Sequence, residues 1–177
     1  TNSSLWLAGT GSGPTSTTTL DFANAPGGST DGSISDVQFR INDIDAGSFR
    51  DVVTILAYDA DGNLVPVTIT LSSTGANADT VSGNTITAGN EGNSPNLPGG
   101  SALISIAGPI TRIVISYSNG ISSTQYLYVT DIHFTTTLVD NDLVNAGERN
   151  DTVSGGAGQD TLYGDAGNDS LSGGSGN

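Results

Sequence analysis

Aspartate recurs at a fixed interval near the end of the 177-residue chain. Asp142, Asp151, Asp160 and Asp169 are spaced nine residues apart, and Val144, Val153, Leu162 and Leu171 follow two places later in the same phase. Glycines fill the intervals: Gly155, Gly156 and Gly158 precede Asp160, and Gly164 and Gly167 precede Asp169. A carboxylate is a hard, anionic oxygen donor of the kind calcium takes. Glycine permits positive-φ turns that aim backbone carbonyls inward. The aliphatic residue two places on belongs in a short strand, pointing into the interior. A Gly/Asp/Ser-rich linker would have no reason to hold aspartate and an aliphatic residue in fixed phase.

The blocks at residues 155–163 and 164–172 resemble the nonapeptide G-G-x-G-x-D-x-U-x of RTX calcium-binding proteins, which forms a parallel β-roll. The resemblance implies calcium as cofactor, held between a turn and the turn two repeats later. One site would join the turns of Asp142 and Asp160, the other those of Asp151 and Asp169. Two early blocks depart from the pattern. Ala146 and Arg149 stand where glycine is expected, and residues 137–141 contain none. Those turns are expected to bind calcium weakly or to serve as a junction onto the preceding domain. The resemblance also implies secretion by a type I route to the extracellular space or cell surface.

Composition narrows the partners. The formal net charge is −14, from 18 acids against four arginines, with no lysine. No basic patch could neutralise phosphates, which argues against nucleic acid and anionic membrane surfaces. Sixteen of the acids are aspartate, the acid favoured in turns and compact oxygen-rich metal sites. There is no cysteine, so disulfides, zinc-thiolate sites and cysteine nucleophiles are absent. Calcium would then supply the stapling. No apolar run is long enough to span a membrane.

The elements that must carry these residues read as all-β. Over residues 34–44, Ile34, Val37, Phe39, Ile41 and Ile44 are apolar, mostly at period two with one slip that marks a bulge. Residues 52–58 and 64–71 flank Asp59-Ala60-Asp61-Gly62-Asn63, a hairpin signal rather than a cation loop. Further strands are expected at 80–88, 102–107, 112–118 and 125–136, with a loop over 89–100. The expected architecture is an antiparallel β-sandwich, jelly-roll-like, over residues 1–136, followed by a parallel β-roll over 137–177. The runs at 37–45, 53–63 and 128–134 are similar to jelly-roll modules of large bacterial surface and adhesion proteins. The closing Asp131-Ile132-His133-Phe134 is also similar to the last strand of calcium-bearing carbohydrate-binding modules.

Other constellations are weaker. Asp43 and Asp45, with Asp51 nearby, form a second candidate metal site, as do Asp21 and Asp131 if they lie on neighbouring first and last strands; solvated turn acids are the alternative. Tyr117, Tyr126 and Tyr128, with Asn119 and Gln125 close by, are candidate ligand-binding aromatics of a sugar site, against the alternative of ordinary strand tyrosines. Leu5, Trp6 and Leu7 form an apolar island, read as an edge strand of the sandwich, as a ligand platform, or as a strand donated to a neighbouring copy. Nothing marks a catalytic nucleophile, and the single histidine, His133, reads as a packed core or rim residue. The sequence thus points to a non-enzymatic, secreted, calcium-dependent bacterial surface or matrix protein. Its role would be adhesion or self-assembly, with other copies or extracellular glycans as partners. The alternative is a carbohydrate-binding module of a secreted polysaccharide-active enzyme.

Overall fold

The computed structural model describes residues 5–11, 16–23, 30–90, 100–138 and 141–175. Most of the expected 89–100 loop, and the last two residues of the final repeat, lie outside this set. The described chain is all-β. In order, the strands are β1 (Leu5–Gly11), β2 (Ser16–Asp21), β3 (Thr30–Asn42), β4 (Val52–Tyr58), β5 (Leu64–Val65), β6 (Thr68–Leu71), β7 (Thr80–Ser82), β8 (Thr85–Thr87), β9 (Ser101–Ile106), β10 (Arg112–Ser118), β11 (Ile121–Val129) and β12 (His133–Leu138). Four short strands follow: β13 (Leu143–Asn145), β14 (Thr152–Ser154), β15 (Thr161–Tyr163) and β16 (Ser170–Ser172). Two compact units result. One comprises Thr1–Phe22 with Ser33–Thr135, the other Ala23–Gly32 with Thr136–Asn177.

The first unit is built from two antiparallel sheets. One runs β1-β11-β3-β9-β6, with β12 also paired to β3, and the other runs β2-β10-β4-β8-β7, with β5 paired to β4. Alternation explains the packing between them, because side chains of a strand point to opposite faces. On β10, Ile113, Ile115 and Tyr117 are buried while their neighbours are not, and they lie opposite Ala57, Ile55 and Val53 of β4. The facing layer is Val37, Phe39 and Ile41 of β3, Ile104 and Ile106 of β9, and Leu127 and Val129 of β11. The slip between Ile34 and Val37 falls at Asp36, which has a φ of 51°; Ile34 meets Ile110 whereas Val37 meets Ile106, so the ladder changes register there.

Three expected strands are in fact pairs. Residues 64–71 split at Pro66: β5 closes the hairpin onto β4, and β6 crosses to the other sheet beside β9. Proline has no N–H to give a ladder, so the strand breaks there. Residues 80–88 form a hairpin, with Gly83 at φ 57° turning β7 back onto β8. Residues 125–136 break at Thr130-Asp131-Ile132, between β11 and β12.

Candidate calcium-binding turns

The second unit repeats every nine residues but stacks every eighteen. Residues 143–145 pair in parallel with 161–163, and residues 152–154 with 170–172. Val144 therefore faces Leu162, and Val153 faces Leu171. Alternate repeats lie on opposite sides of the coil, so each turn sits over the turn two repeats away. The strands join to the turns through N–H donation from Thr161 to the Asp142 carbonyl (2.7 Å) and from Ser170 to the Asp151 carbonyl (2.8 Å).

Side chains bind the stacked turns in both directions. The Asp142 N–H donates to Asp160 Oδ1, and the Asp151 N–H to Asp169 Oδ1, both at 2.9 Å. In return the Gln159 N–H donates to Asn141 Oδ1, and the Asn168 N–H to Asn150 Oδ1, both at 2.8 Å. Asn141 and Asn150 thus join the phased aspartates as residues that tie one turn to the next in the stack. The signal for them lies in the sequence: Asn141, Asn150 and Asn168 each stand immediately before a phased aspartate.

The glycines make room for the carboxylates. A Cβ on Gly155 would lie 2.2 Å from Asp160 Oδ2, and one on Gly164 would lie 2.5 Å from Asp169 Oδ2. Gly167, at φ 152°, brings its turn so close to the one below that a Cβ would lie 1.9 Å from the Arg149 carbonyl. Arg149 itself takes φ 102° and Asp165 takes φ 56°, conformations that cost a non-glycine residue.

Within the roll, two carboxylate oxygens stand apart. Asp160 Oδ2 and Asp151 Oδ2 are buried and have no hydrogen-bond partner. A buried, unsatisfied charged oxygen is costly. Each belongs to a different stacked pair, 142/160 or 151/169. Carboxylates and backbone carbonyls are the hard donors that calcium takes, and a bound cation would satisfy these oxygens. The donor set fits the ion.

The other candidate residues fare differently. Asp21 does not meet Asp131: it ends β2 and pairs with Arg112, whereas Asp131 follows β11 in the other sheet. Among the described residues no three acidic or imidazole side chains are grouped to hold an ion, the set of Asp43, Asp45 and Asp51 included. Asp45 instead engages Asp51, which is fully buried. Asp51 Oδ2 accepts from the Asp45 N–H (3.1 Å) and Oδ1 accepts from the Tyr117 hydroxyl (2.8 Å). Burial pushes the Asp51 carboxyl up to about 7, the adjacent Asp45 charge adding to it. Burial raises the carboxyls of Asp45 and Asp43 as well. The Tyr117 hydroxyl is pushed up too, by burial first and then by Asp51.

Tyr117 is consequently a core residue and not a ligand-binding one. Tyr126 and Tyr128 are on the outer face of their sheet, where Trp6 joins them edge-to-face at ring-centroid distances of 6.0 and 5.1 Å. Leu5 and Leu7 flank Trp6 on β1, an edge strand paired antiparallel with β11 of the same chain. Leu7 is buried in the core, so donating this strand to another copy would undo that burial. His133 opens β12 and is exposed.

Residues 140–177 match the family of the RTX calcium-binding nonapeptide repeat, in four copies. No curated protein and no solved structure matches the chain. Repeats of this family are typical of secreted bacterial proteins, which points to an extracellular location, and they are typically structural and calcium-binding rather than catalytic. The stacked turns, the phased aspartates and the family match agree that residues 140–177 form an RTX repeat array, and the ion such repeats bind is calcium.

Proposed function

We propose that this chain is a calcium-switched adhesion or self-assembly module of a bacterial cell surface or extracellular matrix, without catalytic activity of its own. Residues 1–136 act as a sandwich that presents the contact surface, and residues 137–177 act as the roll that answers to calcium. The observation carrying this reading is the pair of stacked turns, each holding one buried carboxylate oxygen that lacks a protein partner. Asp142 and Asp160 would hold one ion and Asp151 and Asp169 another, aided by carbonyls of the turns containing Gly155, Gly156, Gly158, Gly164 and Gly167.

Calcium supplies the positive charge that lets clustered carboxylates approach. The chain's own residues do the positioning. Asp160 and Asp169 fix register by accepting backbone N–H groups of the preceding stacked turns, and Asn141 and Asn150 return the contact. At a net charge of −14, copies repel one another until a divalent cation intervenes, so association becomes an ion-dependent event.

Light scattering on the full chain tests this, read with EDTA and with millimolar calcium, beside retention of the protein on bacterial cells. Association or cell retention that appears with calcium and reverses with EDTA is expected. A monomer that binds no cells under either condition would remove the adhesion and assembly reading. A chain ending at residue 136 should stay soluble and β-rich, which tests the division into two parts.

A further inference from the structure

The outer face of the β1-β11-β3-β9-β6 sheet joins two features that were separate in sequence. At its β1 edge, Trp6 lies directly opposite Tyr128, and Tyr128 opposite Asn42. Trp6 is 60% exposed and Tyr126 44%. Two residues along β3 from Asn42, on the same face, stands Arg40. Arg40 borders a hollow of about 210 Å³ lined also by Gln38, Phe39, Leu103, Thr130, Asp131 and His133. Arg40 is held in place, its Nη1 donating to Ser72 Oγ (3.0 Å) and Ser101 Oγ (3.1 Å). Residues at i and i+2 on a strand are roughly 7 Å apart, so the aromatic cluster abuts the hollow.

We infer that this strip is a binding site for a soluble, neutral glycan chain, the partner through which the proposed adhesion would act; the inference rests on that reading. Aromatic rings take the apolar faces of sugar rings, while amide, guanidinium, carboxylate and imidazole groups bond hydroxyls. The size favours such a ligand over a protein. A stable protein interface covers about 800 Å² on each partner. Three rings of about 150–250 Å² each, partly covering one another, fall short of that. Charge excludes a polyanionic chain: the protein is at −14, and Arg40 is the only arginine among the residues lining the hollow. Ring geometry sets the form of the glycan. Trp6 stands at 67° to Tyr126 and 75° to Tyr128, so the cluster is angled and not a flat shelf. An angled cluster suits a single chain that can turn its rings, and it does not match the plane of a crystalline polysaccharide.

Titration calorimetry tests this on the full chain, in calcium and in EDTA. The probes are neutral oligosaccharides of gluco-, xylo-, manno- and N-acetylglucosamine type, with insoluble cellulose and chitin alongside. At least one soluble oligosaccharide should bind. Trp6→Ala and Tyr128→Ala should each weaken it by about tenfold or more with an unchanged melting temperature, whereas Trp6→Phe retains most of the affinity. Leu64→Ala, in the hairpin of the other sheet, should have no effect. Binding by none of the probes, binding indifferent to both alanine variants, or binding to the insoluble polymers alone would overturn the proposal. So would loss of calcium-dependent association in Trp6→Ala without any oligosaccharide binding, which would make the patch a contact between copies. Oligosaccharide binding without calcium-dependent association or cell retention would keep the glycan site and remove only the adhesion reading.

Discussion

The sandwich and the roll are both all-β, yet they bury different things. In the sandwich, Ile55, Ile104 and Ile115 are fully buried between two sheets. In the roll, Val144, Val153 and Leu162 are only half-buried, and Leu171 is 44% exposed. Complete burial of a large aliphatic side chain contributes about 1.5–3 kcal/mol. Ordering the backbone costs about 1–2 kcal/mol per residue. Four partly buried aliphatic residues cannot offset that over some forty residues of roll. The roll buries carboxylate oxygen in place of hydrocarbon, at Asp151 and Asp160, whereas the sandwich buries Asp51 and Asp79 in addition to its hydrocarbon core. The comparison separates two ways of specifying β-structure: one by excluding water from hydrocarbon, the other by gathering oxygens around a cation.

The largest expected effect comes from removing calcium. In EDTA, amide signals of residues 142–175 should collapse toward those of an unfolded chain while the signals of β4 and β10 persist. A roll that stays ordered in EDTA would erase the distinction. A core deletion should do the reverse. Ile115→Ala should lower the stability of the sandwich transition by about 2–5 kcal/mol, equally with and without calcium, as read by denaturant melts. If calcium restores that loss, the two parts share one cooperative unit.

pH should also act on the sandwich. The Asp51 carboxyl lies at about 7 in the folded chain against an ordinary 3.8. The folded state therefore keeps a proton that the unfolded chain releases. Its stabilisation is complete below the ordinary value, declines as pH rises between the two, and levels off above about 7. Melts in EDTA from pH 5 to pH 8 should show a fall of about 2 kcal/mol, and Asp51→Asn should flatten it. An unchanged slope in that variant would assign the dependence to another group.

The smallest effects test the roll's own arrangement. Asp160→Ala should weaken calcium binding by about tenfold, roughly 1.4 kcal/mol, as measured by calorimetry. Asp165→Ala should matter less, because Asp165 is exposed and outside the stacked carboxylate pairs. Equal losses would show that general acidity, and not turn geometry, sets the affinity. Asp165→Gly should raise roll stability in calcium by a few tenths of a kcal/mol to about 1 kcal/mol, since its φ of 56° suits glycine.

Most of the roll was legible in the sequence alone, because each element there is local and repeated. The nine-residue phase of aspartate and aliphatic residues was enough to reveal the turns, their order and the ion. Legible too were the all-β class and most buried positions of the sandwich, because alternation names a face. Alternation does not name a partner. That residues 64–71 divide between two sheets, that 80–88 fold back as a hairpin, and that Asp21 meets Arg112 instead of Asp131 were decided by pairing between distant segments. The same holds for Tyr117, which the sequence groups with Tyr126 and Tyr128 but which points inward onto Asp51, 66 residues earlier. Trp6 and Tyr128 become neighbours only when β1 lies against β11. Contacts of that range follow from closing two sheets over one core, a property of the whole chain that no single stretch encodes.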